Sequence, residues 1–314
     1  MQQPNRNNHM PILVTGAHRT GTTWVGKMLA ASPQMAYISE PLNLWHRPGV
    51  LGITVPHWYT YICSDNEAEY LPAFDELLHF RYHPWAEFLS LKSKKDLFRM
   101  ARDWGIFIRG RWFHQRALLK DPFAVFSIPW FIQRLGCSVI VTIRHPAGFA
   151  SSLVRLGWSF DFNHFLKQPL LMRDYLETYR LDMEKMATSP EDIVGQASLL
   201  WKIVYAVISQ LKQRQVNFLL VRHEDYSRDP LGCYRNLYNT QDLKFTFQTE
   251  KKIRNSSSSE NPKEISRRKV HSVQLDSQAN LSNWKRRLTP KEIDRIRQLT
   301  AGVADEYYSS QEWD

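Results

Sequence analysis

A glycine-rich stretch near the N-terminus carries the residue types that bind phosphate. Gly16-Ala-His-Arg-Thr-Gly21 is followed by Thr22 and Thr23, and it lies between a short apolar run and apolar residues spaced for a helix. Glycines permit a tight turn in which backbone N–H groups and a helix N-terminus point at an anion, and Arg19 adds a cation. A plain strand–turn–helix is the alternative. The cation, the hydroxyls and the position between strand and helix together favour a phosphate site.

The loop differs at one position from the P-loop of nucleotide hydrolases. Its pattern is G-x-x-x-x-G followed by two threonines, and Thr22 stands where a P-loop has lysine. Because that lysine normally reaches the β- and γ-phosphates, its replacement argues against ATP or GTP hydrolysis. An unusual P-loop kinase, dependent on ATP and magnesium, remains the alternative enzyme.

A second candidate phosphate contact follows a strongly apolar run at Ser138–Ile143. Arg144 comes directly after this run in the pattern R-x-P, and Ser152 lies eight residues further on. An arginine at the C-terminal end of a strand can fork onto a phosphate, and a helix hydroxyl can donate beside it. An isolated R-x-P often marks only a surface arginine, but the upstream phosphate loop favours the phosphate contact.

These two motifs, in this order, resemble those of sulfotransferases that use 3′-phosphoadenosine 5′-phosphosulfate (PAPS). Residues 15–25 look like the loop that wraps the 5′-phosphosulfate, and residues 143–153 look like the 3′-phosphate motif. His223 stands where relatives carry a tyrosine that contacts the adenine in some members, although it also fits a histidine packed at a strand end. The donor-binding positions that the resemblance implies are Arg19, Thr20, Gly21, Thr22, Thr23, Trp24, Arg144, Ser152 and His223.

Two further segments resemble the family less closely. Residues 283–288 look like its tryptophan-containing C-terminal segment, and the basic cluster Arg267, Arg268 and Lys269 lies before it. Cytosolic relatives carry a basic, glycine-containing loop on the 3′-phosphate at about that place. Because the glycine is missing here and the spacing differs, a solvated run of charge is the favoured interpretation of the cluster.

Sulfonyl transfer to a hydroxyl needs a base for the acceptor proton and cations where negative charge develops. Phenol and steroid sulfotransferases use the histidine of a K-x-H segment, but here Lys120 is followed by Asp121 and Pro122. The segment from Glu40 to His46 is instead similar to the E-P…W-H segment of carbohydrate-type relatives. The resemblance implies Glu40 as the general base, with Lys120 and Arg19 stabilising the transferring group. Asp121 is the alternative base, and an exposed glutamate without a role is the alternative interpretation of Glu40.

The elements that must position these residues follow an α/β order. Strands are predicted at 11–15, 35–39, 117–120, 138–143 and 216–221, and helices at 23–31, 146–156, from 189 to 211, and after Thr289. This alternation predicts a three-layer sandwich with a central, mostly parallel sheet and a P-loop-like phosphosulfate loop. The candidate residues fall at the carboxyl ends of predicted strands, where open α/β sheets bind ligands.

The domain organisation is predicted as one sulfotransferase domain over 11–314 behind a disordered N-terminus at 1–10. Residues 45–115 form an aromatic-rich insert or lid of helices and loops on the acceptor side, and residues 254–269 form a flexible polar loop. The insert's tryptophans and tyrosines could stack on sugar rings, hold a lipid or pack as core.

The composition fits an enzyme with an anionic ligand. Lys and Arg number 41 against 31 Asp and Glu, giving a net charge of +10. A basic nucleic-acid-binding protein would share this charge, but it leaves the ordered phosphate motifs unexplained. Three cysteines without ligand spacing, no apolar run of about 18 residues and no signal peptide predict a cytoplasmic protein.

The resulting expectation is a PAPS-dependent sulfotransferase that releases 3′,5′-adenosine bisphosphate (PAP). Its acceptor would be a glycan, glycolipid or small natural product, with no nucleic acid, no membrane span and no metal required. His79 and His83 hint at a metal pair but lack a nearby third ligand. The sequence leaves the oligomeric state, the acceptor and the choice between O- and N-sulfation open.

Overall fold

A five-stranded sheet forms the centre of the computed structural model, which describes residues 10–264 and 273–314. The strands are β1 (Ile12–Gly16), β2 (Met35–Ser39), β3 (Arg116–Lys120), β4 (Ser138–Ile143) and β5 (Leu219–Arg222). Their order across the sheet is β2-β3-β1-β4-β5. The predicted α/β class with a mostly parallel central sheet flanked by helices is confirmed.

The helices alternate with these strands. They are α1 (Thr22–Leu29), α2 (Leu71–Leu78), α3 (Pro84–Leu89), α4 (Lys94–Trp112), α5 (Ile128–Leu135), α6 (Pro146–Leu156), α7 (Asn163–Leu166), α8 (Pro169–Leu171), α9 (Arg180–Ala187), α10 (Ile193–Gln213), α11 (His223–Arg228), α12 (Pro230–Thr240), α13 (Phe247–Ser257), α14 (Ser277–Leu281), α15 (Asn283–Arg287) and α16 (Pro290–Thr300). Short 3-10 or π turns cover Glu67–Glu69, Pro122–Ser127, Met172–Leu176, Glu177–Tyr179, Ala304–Glu306 and Ser310–Trp313.

The chain divides into two compact units, each built from separate stretches. The first unit contains residues 10–15, 22–141 and 234–252, and the second contains 16–21, 142–233, 253–264 and 273–314. The single domain expected over 11–314 stays a prediction. The expected disorder of residues 1–10 falls, except for Met10, outside the described residues.

In the first unit, β3 pairs in parallel with both β1 and β2. Lys120 is in register with Val14 on one side and with Ser39 on the other. All five residues of β1 and of β3 are buried, as is typical of parallel strands covered on both faces. The pairing therefore places Lys120 and the residue after Ser39 at one edge of the sheet.

The aromatic-rich stretch 45–115, also in the first unit, consists of helices and loops as predicted. Three helices, α2, α3 and α4, lie in it. The side chain of Ser93 accepts a hydrogen bond from the backbone N–H of Asp96 and so caps the N-terminus of α4. No strand occurs in this stretch, all of which the structure describes.

In the second unit, the long helix α10 begins later than the sequence predicts. The S-x-x-D pattern places its start at Ser189, but the N-cap is Asp192, whose carboxylate accepts from Gly195 N at 3.0 Å. Arg295 also donates to Asp192, at 2.8 Å, so a contact distant in sequence fixes the cap. The predicted N-cap Thr289 is confirmed as part of a capping box with Glu292.

The long helix α10 also passes a simple test for a membrane span. Among the described residues it is the one helix long and apolar enough, with a window of mean hydropathy 1.2. However, 83% of that window is buried inside the fold. Such burial is typical of the core helix of a globular domain, so the apolar character alone is weak support for a span.

Other predicted boundaries also need correction, and the helix predicted at 23–31 is observed as α1, Thr22–Leu29. The predicted strand 216–221 is observed as β5, Leu219–Arg222. The polar loop predicted from residue 254 begins later, because α13 continues to Ser257. Residues 265–269 of that predicted loop, with Arg267, Arg268 and Lys269, lie outside the described residues.

Candidate functional site

The glycine-rich loop, in the second unit, has a backbone that its sequence dictates. Gly16 has φ +135°, and a Cβ there would clash with the backbone of Thr142. Gly21 has φ +103°, and a Cβ there would lie 3.0 Å from Nδ1 of His223. Any side chain at these positions would be strained by conformation and by contact. The two glycines therefore serve the tight turn that the phosphate-loop interpretation requires.

Threonine hydroxyls hold this turn in place. Thr20 Oγ1 lies 2.6 Å from the carbonyl oxygen of Ala17, to which it donates, and 2.7 Å from Thr142 Oγ1. Arg19 has φ 68°, a left-handed conformation that non-glycine residues rarely adopt. Such backbone strain is concentrated at functional sites, where surrounding contacts enforce it.

The second unit brings together three donors predicted from separate motifs. Arg19 Nε donates to Ser152 Oγ at 3.2 Å, and Arg144 Nη1 donates to the carbonyl oxygen of Arg19 at 3.4 Å. Gly148 makes room for Arg144, since a Cβ there would lie 3.1 Å from Arg144 Nε. The glycine-rich loop and the R-x-P motif thus meet in the folded unit, as the sequence analysis requires.

Cations in this cluster repel one another. Burial, with the charges of Arg144 and Arg155, lowers the pKa of Arg19 to about 10. Burial also lowers the pKa of Arg144, and the positive charges of Arg287 and Arg155 add to this effect. Because a bound anion would relieve this repulsion, the cluster is suited to a ligand with several negative charges.

Arg155 is a member of the cluster that the sequence analysis missed. It lies on α6 three residues after Ser152, and therefore on the same face of the helix. The pattern S-x-x-R, directly after the R-x-P motif, is the signal that could have identified it.

The buried carboxylate of Glu224 stabilises the positive charge of Arg144. Glu224 accepts from the backbone N–H of His145 at 2.9 Å and from the hydroxyl of Tyr308 at 3.0 Å. Its negative charge favours the charged form of Arg144, while burial raises its own pKa. Trp201 Nε1 donates to the carbonyl oxygen of Arg144 at 2.8 Å. Glu224 therefore has a positioning role.

His223 lies beside the glycine-rich loop and is held by polar neighbours. Its Nε2 lies 3.4 Å from Asn280 Nδ2 and 3.5 Å from the Ser227 hydroxyl. Burial, with the charge of Arg144, lowers the pKa of His223 well below its usual value. The ring is therefore uncharged at physiological pH.

In the first unit, Glu40 and Lys120 form an ion pair at the edge of the sheet. Lys120 Nζ donates to Glu40 Oε1, and Asn43 Nδ2 donates to Glu40 Oε2 at 2.8 Å. Glu40 has φ 52°, and its backbone N–H donates to the carbonyl oxygen of Lys120 at 2.7 Å. The side chain of Glu40 is 21% exposed, whereas that of Lys120 is 2% exposed. Solvent and ligands therefore reach this pair through the carboxylate.

The lysine stem runs past a glycine on α1. A Cβ at Gly26 would lie 2.9 Å from Lys120 Cγ and 3.0 Å from the ring of Tyr37. Gly26 thus lets Lys120 pass between α1 and β2. Asn43 is a further residue that the sequence analysis missed, and its place three residues after Glu40 is the signal that could have identified it.

Asp121, the alternative base, lies in a different environment. It is fully buried, and its two oxygens accept from Leu42 N at 2.6 Å and from Phe123 N at 2.9 Å. Burial raises the pKa of Asp121 to about 7. Its hydrogen bonds anchor the turn after Glu40 and cap the following 3-10 helix. The carboxylate of Asp121 therefore has a structural role and does not face solvent.

The remaining predicted residues belong to the start of α1, in the first unit. Thr22 is buried, Thr23 and Trp24 are partly exposed, and the Trp24 ring lies 5.5 Å from that of Tyr234, edge to face. The predicted donor-binding set is thus divided between the two units. Among the described residues, no group of three or more potential metal ligands occurs.

Comparison with known proteins identifies the family of the chain. The sulfotransferase domain model matches residues 9–308. Carbohydrate sulfotransferase 1 of Danio rerio is 24% identical over 195 residues, which are 61% of this chain and 40% of that protein. The chain thus spans about two-fifths of the length of this curated relative.

Two solved structures are also similar to the chain. The sulfotransferase domain of the Synechococcus PCC 7002 olefin synthase is 17% identical, with a TM-score of 0.46 and 98% of each chain covered. Sulfotransferase STF1 of Mycobacterium tuberculosis is 17% identical, with a TM-score of 0.41, 94% of this chain and 77% of its own covered. The family match, which spans nearly all the sequence, shows that the chain belongs to the sulfotransferase family.

Proposed function

We propose that this protein transfers the sulfonyl group of PAPS to the hydroxyl of an acceptor. One observation carries the proposal beyond family membership: Arg19, Arg144 and Ser152, predicted from two distant motifs, meet in the second unit. The positive charges of Arg19 and Arg144 are buried and lie close together, which suits a donor with phosphate and phosphosulfate groups.

Each residue of the cluster has a distinct proposed role toward PAPS. Arg144 and Ser152 hold the 3′-phosphate, with Glu224 orienting Arg144. Arg19 and Thr20, with backbone N–H groups of the loop, hold the 5′-phosphosulfate. His223 offers its neutral ring to the adenine.

In the first unit, Glu40 is the proposed general base. The acceptor oxygen attacks sulfur, the bond from sulfur to the phosphate oxygen breaks, and the acceptor proton passes to Glu40 as PAP leaves. Asn43 and Lys120 orient the carboxylate, and the Lys120 charge stabilises negative charge on the transferring group. Glu40 is favoured over Asp121 because both oxygens of the buried Asp121 are occupied by backbone N–H groups.

The proposed acceptor is a glycan, glycolipid or small natural product. A carboxylate base in an E-P…W-H segment is the feature shared with carbohydrate-type relatives, and a carbohydrate sulfotransferase is among the similar proteins. The proposed reaction uses side chains of this chain for acid–base chemistry and requires no metal. A cytoplasmic location is proposed with it.

The proposal is tested by thermal unfolding of the full chain with PAP, with ATP and Mg²⁺, or with 5′-AMP. A ligand at a hundred times its Kd stabilises the folded state by about 2.7 kcal/mol, so PAP should raise Tm by about 2 °C or more. Arg144→Ala should lose this rise. The control Arg173→Ala, which removes an exposed arginine paired with its neighbour Asp174, should keep it. A rise with ATP and Mg²⁺ alone would contradict the proposal and favour a kinase.

A further inference from the structure

The surface of α3 and α4, in the first unit, carries an unusual concentration of exposed apolar side chains. Of the fourteen large hydrophobic side chains that are exposed among the described residues, nine lie between residues 85 and 113. Trp85, Phe98 and Trp112 are 75%, 79% and 78% exposed. The eight members on these two helices, here called the aromatic face, are Trp85, Phe88, Leu89, Leu97, Phe98, Trp104, Ile108 and Trp112.

The helix α4 carries a buried stripe and, separately, an exposed apolar stripe. Its buried stripe consists of Met100, Asp103, Phe107 and Gly110. A second stripe follows the spacing i, i+4, i+7, i+11 at Leu97, Ala101, Trp104 and Ile108, and Phe98 and Trp112 extend it. With 3.6 residues per turn, this second stripe is centred roughly 110° around the helix from the buried one, and its large side chains are exposed. Burial of the core therefore does not explain the second stripe.

The aromatic face is held in place by contacts beneath it. Arg47 donates to Glu87 of α3 at 2.5 Å, and its Nε lies 3.7 Å from a carboxylate oxygen of Asp103 on α4. Phe80 packs on Gly110, where a Cβ would lie 2.6 Å from its ring. Arg47 thus contacts acidic residues on both helices and fixes their positions in the unit. The aromatic face is therefore a defined surface of the fold.

Basic residues border the aromatic face. Between residues 84 and 113 there are seven Lys and Arg against three Asp and Glu, and two of these acids, Glu87 and Asp103, are buried. Lys95, Arg102 and Arg109 are exposed on the side of α4 next to the apolar stripe. Tryptophan, phenylalanine and leucine on one side with Lys and Arg beside them is the pattern of a helix lying in a membrane interface.

We propose that the aromatic face docks on the surface of a lipid bilayer that contains anionic lipids. The nineteen residues of α4 make a rod of about 28 Å whose aromatic side chains enter the headgroup region while its basic side chains meet lipid phosphates. A second copy of the chain fits this face less well. In a two-fold dimer the same patch faces itself, and that would bring two sets of basic side chains together.

Flotation of the full chain with vesicles tests the proposal. The protein should float with vesicles of equimolar phosphatidylcholine and phosphatidylglycerol and should float much less with phosphatidylcholine alone. The double variant Phe98→Ser/Trp112→Ser should bind the anionic vesicles at least about tenfold more weakly, because it removes exposed apolar area. The double variant Lys95→Gln/Arg109→Gln should bind the anionic vesicles about fivefold more weakly for each charge removed. Added salt should also weaken binding of the unmodified chain, because it screens the charges.

The control removes two equally exposed apolar side chains outside the aromatic face. Leu181 and Phe247 are 78% and 82% exposed, and Leu181→Ser/Phe247→Ser should bind vesicles like the unmodified chain. Circular dichroism should show the same helix content for all variants. The proposal would be overturned if the unmodified chain did not float. It would also be overturned if the control variant lost as much vesicle binding as Phe98→Ser/Trp112→Ser. Light scattering that shows a dimer for the unmodified chain and a monomer for Phe98→Ser/Trp112→Ser would overturn it as well, since the face would then join two copies.

Discussion

The two compact units arrange charge in opposite ways. In the second unit, burial and the charges of Arg144 and Arg155 lower the pKa of Arg19. Burial and the charges of Arg287 and Arg155 also lower the pKa of Arg144, an effect that the negative charge of Glu224 partly offsets. In the first unit, Lys120 has its own counterion in Glu40. Buried cations that repel one another favour an anionic ligand, whereas a partly exposed carboxylate beside a lysine can accept a proton. In the proposed reaction, Arg19 and Arg144 of the second unit therefore bind the donor, and Glu40 of the first unit takes the acceptor proton.

Glu40→Gln should give the largest loss of turnover. The amide cannot take the acceptor proton, and general base catalysis contributes about 10²- to 10⁴-fold. PAP binding should be unchanged, because Glu40 is proposed to act on the acceptor proton and PAP is the product without the sulfonyl group. Steady-state kcat and a PAP titration measure the two effects, and a fully active Glu40→Gln protein would remove Glu40 from the mechanism.

Lys120→Met should lower kcat by about a hundred- to a thousand-fold, the effect of losing one well-placed electrostatic group. Methionine fills a similar volume in the buried channel beside Gly26, so the fold should survive. Lys27→Met is the matched control on α1, since Lys27 is partly exposed and its pKa is lowered by burial and by Lys120. Equal kcat values for the two variants would contradict the assigned role of Lys120.

Arg144→Ala should weaken PAP binding by about ten- to a hundred-fold, as expected for a charge-assisted hydrogen bond to phosphate. Glu224→Gln should weaken PAP binding less, because Arg144 remains and loses only the negative charge of Glu224 that stabilises it. Calorimetric titration with PAP measures the Kd of both variants. A larger loss of PAP affinity in Glu224→Gln than in Arg144→Ala would contradict the roles assigned to these two residues.

Asp121→Asn should have the smallest effect on the reaction and a clear effect on stability. Burial raises the pKa of Asp121 in the folded state to about 7, so the folded protein holds this proton more tightly than the unfolded chain does. The associated stability is fully present below the unfolded pKa near 4 and is lost as pH rises through about 7. Asp121→Asn should lack this part of the pH dependence.

Urea unfolding of both proteins between pH 4 and 8 measures that difference. The pH profile of kcat should be the same in the two proteins, since Glu40 and not Asp121 takes the proton. A pH profile of kcat that disappears in Asp121→Asn would instead make Asp121 the base.

Much of the fold was predictable from the sequence because local pattern determines it. Apolar runs give strands β2 and β4 with the predicted ends, and Pro146 with Gly157 brackets α6. The start of α10 was not predictable, since both Ser189 and Asp192 are good N-caps and Arg295, distant in sequence, fixes the choice.

The candidate site divides in the same way. The glycine-rich loop, Arg144 and Glu40 follow from local motifs and from strand ends. Arg155, Asn43 and the support of Arg144 by Glu224 depend on which side chains meet in the folded units. Sequence spacing hints at Arg155 and Asn43, but only tertiary structure shows the repulsion among the arginines and the burial of Asp121.

Calorimetric titration of PAP into the unmodified chain, Glu40→Gln and Arg144→Ala tests the central claim most directly. We predict equal Kd values for the first two proteins and a Kd raised at least about tenfold for Arg144→Ala. Such a result would assign donor binding to the arginine cluster and leave Glu40 to the chemistry. Absence of PAP binding by the unmodified chain, or an equal loss in Glu40→Gln, would contradict the division of roles between the two units.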